Sequence, residues 1–162
     1  VEASILCLRL SIDQTKAWVL YQTGQTDATY NAPNKWHPNT LNGFDGSNHD
    51  EYFHLDSNQQ GIIFDKAGTY RMRVQVTGGN GGSTGRVGAG IFSTRPGDDS
   101  SGELRTGNSM YVNTAYISAC VEDIFRVNVG DVRYSAAFGS IANWSKYLSK
   151  IYTYTILEYI AS

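Results

Sequence analysis

A chain of 162 residues is long enough for one domain that buries roughly 70% of the surface its unfolded form exposes, so it needs no disulfide or metal staple to fold. Only 17% of the residues are charged, against roughly 25% in ordinary soluble domains, so the surface relies on Asn, Ser, Thr, Gly and Tyr, as suits work outside cells. The net charge is −2 and Lys and Arg never cluster, which argues against direct nucleic-acid binding, and no apolar run approaches the roughly 20 residues of a transmembrane helix.

Val1, Ile5, Leu8 and Ile12 recur at spacings of four, three and four, a heptad that predicts a short coiled-coil helix. Leu6, Leu8, Leu10 and Ile12 also alternate as a strand would. A heptad in register from the first residue reads as the end of a coiled-coil stalk over residues 1–16, with a head domain over 17–162. The start lacks the charged-then-apolar order of a signal peptide.

From Ala17 onward the signals are β. Strands are expected at Ala17 to Gln22, Tyr52 to Leu55, Gly61 to Phe64, Thr69 to Val76, Val87 to Phe92, Met110 to Cys120 in one or two pieces, Ile124 to Val129, Val132 to Phe138 and Lys150 to Ile160. Within Thr69 to Val76, Tyr70, Met72, Val74 and Val76 point to one side and Thr69, Arg71, Arg73 and Gln75 to the other. The last strand is apolar or aromatic on both faces and must be covered on both sides. Val129-Gly130-Asp131-Val132 predicts a tight hairpin turn, and Gly78 to Gly85 a flexible hairpin loop. That loop is no phosphate loop, because it lacks the Gly-Lys-Ser/Thr ending and opens a strand, not a helix. Cys7 and Cys120 sit among apolar neighbours and predict buried free thiols.

His49, Asp50, Glu51, His54 and Asp56 form the one dense group of metal-ligand types, but the two His are five apart on a loop entering a strand, not four apart on a helix. No metal or cofactor is expected. With three His, none near a Cys in sequence, the chain predicts no enzyme. Two features suit binding. Trp36, and Trp144 with Tyr147, stand in loop-like sequence where aromatic faces can stack on a sugar, although packing between strands is the commoner use. Arg71 and Arg73 share the non-core face of a strand, where they either pair with acids such as Asp65 or Glu158 or hold a small carboxylate or phosphate at a protomer interface.

Phe44, Asp50, Leu55, Ile62 and then Gly68-x-Tyr70-x-Met72-x-Val74 keep the spacing of a signature that resembles C1q and tumour-necrosis-factor-like (TNF-like) heads. Ile62, Met72 and Val74 replace that family's aromatics with other apolar groups on the same face. The resemblance implies an all-β jelly-roll sandwich that assembles as a homotrimer, with its C-terminal strand central near the threefold interface, and that binds without catalysing. A glycine-free heptad that opens directly into such a head is more similar to a viral fibre tip than to a collagen-stalked C1q protein. It most resembles the knob of the tail needle of short-tailed phages. That resemblance implies a virion tail protein exposed outside the cell, joined to the rest of the tail through its coiled coil, which plugs the portal, touches the host cell surface and takes part in genome ejection. The alternatives are an extracellular C1q-like or TNF-like ligand and a carbohydrate-binding jelly-roll lectin.

Overall fold

The alternation in residues 69–76 becomes the central element of the molecule. A computed structural model describes residues 16–23, 27–79, 84–97, 102–112 and 115–162, and the expected N-terminal coiled coil lies outside them except for Lys16. In chain order the strands are β1 (Lys16–Tyr21), β2 (Asp27–Tyr30), β3 (Lys35–Pro38), β4 (Gly43–Gly46), β5 (Phe53–Leu55), β6 (Gly61–Phe64), β7 (Gly68–Gly79), β8 (Gly85–Phe92), β9 (Leu104–Val112), β10 (Ile117–Val127), β11 (Val132–Gly139), β12 (Trp144–Tyr147) and β13 (Tyr154–Ala161). No helix occurs among the described residues.

They form two antiparallel sheets. Sheet A runs β10-β7-β13-β1-β4, and the end of β7 pairs with β12, which carries β2. Sheet B runs β5-β6-β11-β8-β9, with β3 on the end of β11. The inner faces close on one core: Trp18 and Leu20 of β1, Tyr70, Met72, Val74 and Val76 of β7, and Leu157 and Tyr159 of β13 meet Ile62 and Phe64 of β6 and Val87, Ala89 and Ile91 of β8. Aromatic edges interlock there, Phe64 against Tyr70 at 4.6 Å between ring centroids and Tyr70 against Tyr159 at 5.2 Å. The buried Tyr70 hydroxyl donates to the Lys66 carbonyl oxygen at 2.9 Å, and desolvation together with neighbouring Tyr159 keeps it protonated far above its ordinary range.

The last strand is central as expected, lying between β7 and β1. Two expected hairpins are not hairpins. The Val129–Val132 turn and the 78–85 connection each carry the chain from sheet A to sheet B, because β10 and β7 pair with each other while β11 and β8 pair in the opposite sheet. Gly130 does take the left-handed turn conformation, with φ of 89°. The expected burial of Cys120 is also corrected: Ala119 and Val121 point into the core, so the alternation of β10 sends Cys120 outward, where it is exposed. Cys7 lies outside the described residues.

Gly68 has a physical reason to be glycine. It opens β7 at φ of 152°, and a Cβ there would run into the Ala161 carbonyl and the Tyr159 ring. Gly68→Ala is therefore expected to lower the free energy of unfolding by about 2 kcal/mol, measured by urea denaturation with an unchanged m-value.

Candidate functional site

Strand periodicity gives sheet A a second, outward face. β7 presents Arg71, Arg73 and Gln75, β13 presents Tyr154, Ile156, Glu158 and Ile160, β10 presents Cys120, Glu122 and Ile124, and β1 presents Val19 and Tyr21. Ile124 is 53% exposed and the β13 residues are half-buried. At the centre lies a hollow of about 240 Å³ lined by Arg71, Arg73, Glu122, Ile156 and Glu158. Arg71 Nη1 donates to Glu158 Oε2 at 3.2 Å, while Arg73 Nε and Nη2 both donate to Glu122 Oε2 at 3.1 and 2.8 Å. The hydrogen bond to Glu122, which accepts it, raises the Arg73 pKa further. Each arginine that sequence marks for a small anion thus already faces a carboxylate within its own chain. Arg71 Nε is buried and makes no hydrogen bond among the described residues.

Trp36 sits on the outward face of sheet B. Its indole lies across the sheet over Gly90, where an added Cβ would meet the ring at 2.7 Å, and its edges pack on Phe92 and Phe138 at 5.3 and 5.2 Å between centroids. Beside it opens a hollow of about 370 Å³, lined by Trp36, Phe138, Leu104 and Gly107 with Arg86, Asn108 and Ser109 as its polar residues. Arg86 Nη1 donates to Ser109 Oγ at 3.2 Å, and Asn108 Nδ2 to the Cys120 carbonyl at 3.1 Å. Sequence reading singles out Trp36 but not these three. The signal that points to them is the glycine at alternate positions 88 and 90, where a strand interior lacks side chains.

Trp144 does not share that surface. It is fully buried, stacked on Tyr30 at 4.8 Å and packed in the core, so its expected surface recognition role is corrected to an interior one. Two residues on, Lys146 is equally buried. Its Nζ donates to Asn39 Oδ1 at 2.9 Å, and Asn39 Nδ2 donates to Ser135 Oγ at 3.2 Å, a polar link from β12 across to sheet B. Tyr147 points the other way and joins Tyr116 and Tyr152 at 5.2 and 6.1 Å in a tyrosine cluster, of which Tyr116 and Tyr152 are exposed.

The histidine-rich segment does not converge. His49 Nδ1 is bonded to the Phe53 carbonyl at 3.0 Å and its ring stacks on Phe53, while His54 Nδ1 lies 2.7 Å from Asp65 Oδ2. Among the described residues no three His, Cys, Asp or Glu gather into a cluster that could hold a metal.

No protein-family model matches the chain, and no curated protein matches it significantly in sequence. Solved structures do match in shape. Eiger TNF from S. frugiperda superposes with a TM-score of 0.64 over 92% of this chain and 94% of its own, at 9% identity. Murine APRIL at pH 5.0 does so with a TM-score of 0.58 over 90% of this chain and 98% of its own, at 13% identity, and APRIL at pH 8.0 with 0.56 at 14%. The fold is a TNF-like jelly roll. At such identities the likeness speaks for the fold alone.

The Lys146 cluster has a measurable signature. Burial pushes the ammonium down to about 8 from 10.5, so between those values the unfolded chain binds more protons than the folded one and stability must rise with pH. Tyr30, pushed up to about 12 by burial, acts in the opposite sense above pH 10, its ordinary value. The stability of the wild type relative to Lys146→Met is expected to increase by about 2 to 3 kcal/mol from neutral pH to the top of the lysine window. Urea titrations of both proteins across that range measure it, and a constant difference would refute the assignment.

Proposed function

We propose that this chain is a homotrimeric jelly-roll head that acts by binding, and that it forms the knob at the distal tip of a coiled-coil virion fibre of the tail-needle type. The observation that carries the reading is the outward face of sheet A. There the central strand β13 offers Tyr154, Ile156 and Ile160 beside Ile124 and Val19, apolar groups that favour cover. The charges at its centre are already matched, Arg71 with Glu158 and Arg73 with Glu122, so covering the centre with a second and third copy strands neither arginine, while Arg126 at the end of β10 stays at the rim of the face. The small-anion role of Arg71 and Arg73 belongs to the same interface, where the buried Arg71 Nε has a donor to give to a carboxylate or phosphate oxygen.

The fibre assignment rests on the heptad Val1, Ile5, Leu8 and Ile12, which runs without glycine up to the start of β1 at Lys16. A short heptad is marginal alone, and a head interface would join three of them into one cooperative unit. On this reading the knob meets the host cell envelope, the stalk connects it to the tail, and the assembled needle plugs the portal until ejection. A second reading, an extracellular TNF-like ligand, is favoured by the shape shared with Eiger TNF and APRIL.

Light scattering behind size exclusion is expected to give a trimer for the chain and for a truncation beginning at Lys16, and a monomer for Ile156→Glu with its far-UV spectrum retained. A monomeric wild type would sink both readings. An antibody to the head that labels fibre tips of virus particles in electron micrographs separates them, since a free ligand labels no particle.

A further inference from the structure

We propose that the hollow on the outward face of sheet B is a binding site for an acidic saccharide, with a pyranose ring stacked on the Trp36 indole and its carboxylate held by Arg86. The site goes beyond the trimeric-head reading and does not depend on it, because one chain supplies every residue and the face lies opposite the one assigned to self-association.

The hollow is made by missing side chains. Gly90 of β8 faces Gly107 of β9 in register, and Gly88 faces Ser109 beside it. The indole explains Gly90, which it overlies. It does not explain Gly107, where an added Cβ would touch Leu104 at 3.4 Å and Trp36 at 3.5 Å, ordinary contacts that alanine tolerates. Glycine in a strand interior weakens the strand and often marks a close approach. An open floor beside the indole is what a planar ring requires.

The rim supplies the rest. Arg71, Arg73 and Arg105 each face a carboxylate, whereas Arg86 makes no ion pair among the described residues and no acid lines its hollow. One Nη1 bond to Ser109 orients the guanidinium and leaves its other donors for a planar carboxylate. Asn108, in register with the inward-facing Ala89, sends its amide to the Cys120 carbonyl on the other side of the sheet, so the Ser109 hydroxyl is the neutral polar group left for a sugar hydroxyl. A volume of about 370 Å³ falls in the lower part of the usual range of about 300 to 1,000 Å³ for small-ligand sites, suiting one or two rings. A nucleotide would bring several phosphate charges to a single cation, and an extended peptide would need a free sheet edge where this is a sheet face.

The chain carries its own reporter. Of three tryptophans, Trp18 and Trp144 are buried at 1% and 0% exposure, so Trp36 alone is partly exposed. The full chain, labelled with ¹⁵N-tryptophan and with the Trp36 signal assigned through Trp36→Phe, is titrated with glucuronate, galacturonate and N-acetylneuraminate, and with methyl glucoside as the neutral probe. At least one acidic sugar is expected to move the Trp36 indole N–H signal saturably in the millimolar range, leaving Trp18 and Trp144 in place. Methyl glucoside is expected to bind about tenfold more weakly. Arg86→Gln, at an exposed position, is expected to keep the other two indole signals and to erase that preference. No saturable shift of Trp36 with any of the sugars, equal binding of the neutral probe, or a preference that survives Arg86→Gln would each overturn the proposal.

Discussion

Strand β7 is paired along both edges, to β10 over Gly68–Gly78 and on the other side to β13 and β12 with a gap at Val76 and Thr77, so most of its backbone groups are committed and its side chains are what respond to what lies above and below. Its period of two then divides the molecule. Tyr70, Met72, Val74 and Val76 carry the inner face and are fully buried, and each contributes roughly 1.5 to 3 kcal/mol of transfer free energy. Arg71 and Arg73 carry the outer face, where their half-exposed ion pairs are screened by water and add little to stability. Stability of the single chain is therefore vested in one face of β7, and the other face is free to be matched to something else.

How far this was legible in the sequence depends on the length of the pattern. β6 is a four-residue apolar run bounded by turn residues, and β7 alternates over most of its length, so both were readable with their facing. β2, β3, β4 and β12 have four residues each, too few for a period to rise above chance, and were not anticipated. Turn chemistry has a different limit. Gly130 announces that the chain reverses, but which sheet the next strand joins is decided by pairing between residues far apart, and here β11 finds β6 and β8, not β10.

Of the two tryptophans marked for recognition, Trp144 shows the same limit. Trp144 and Lys146 are two apart and must share a face in β12. A reader who sends the lysine to water sends the tryptophan with it, and the sequence offers no reason to do otherwise. The fold buries both, and Lys146 is tolerated because Asn39 accepts its hydrogen bond and Tyr30 lies 5.7 Å away as an aromatic cover. An apolar residue would be less costly there. What the lysine adds is direction, since its bond to Asn39 and the further bond to Ser135 are met only when β12 sits over β3 and β11 in this arrangement.

The sides of the sandwich follow from the same logic. β9 and β10 are the edges of their sheets and lie beside each other, yet they form no ladder. Side chains bridge them: Asn108 donates to the Cys120 carbonyl, and Arg105 Nε lies 3.0 Å from Asp123 Oδ2. A backbone ladder at this seam would roll the sandwich into a barrel and fix the curvature of both sheets. Side-chain bridges instead block these free edges against a foreign strand and leave the two sheets as separate layers of a sandwich.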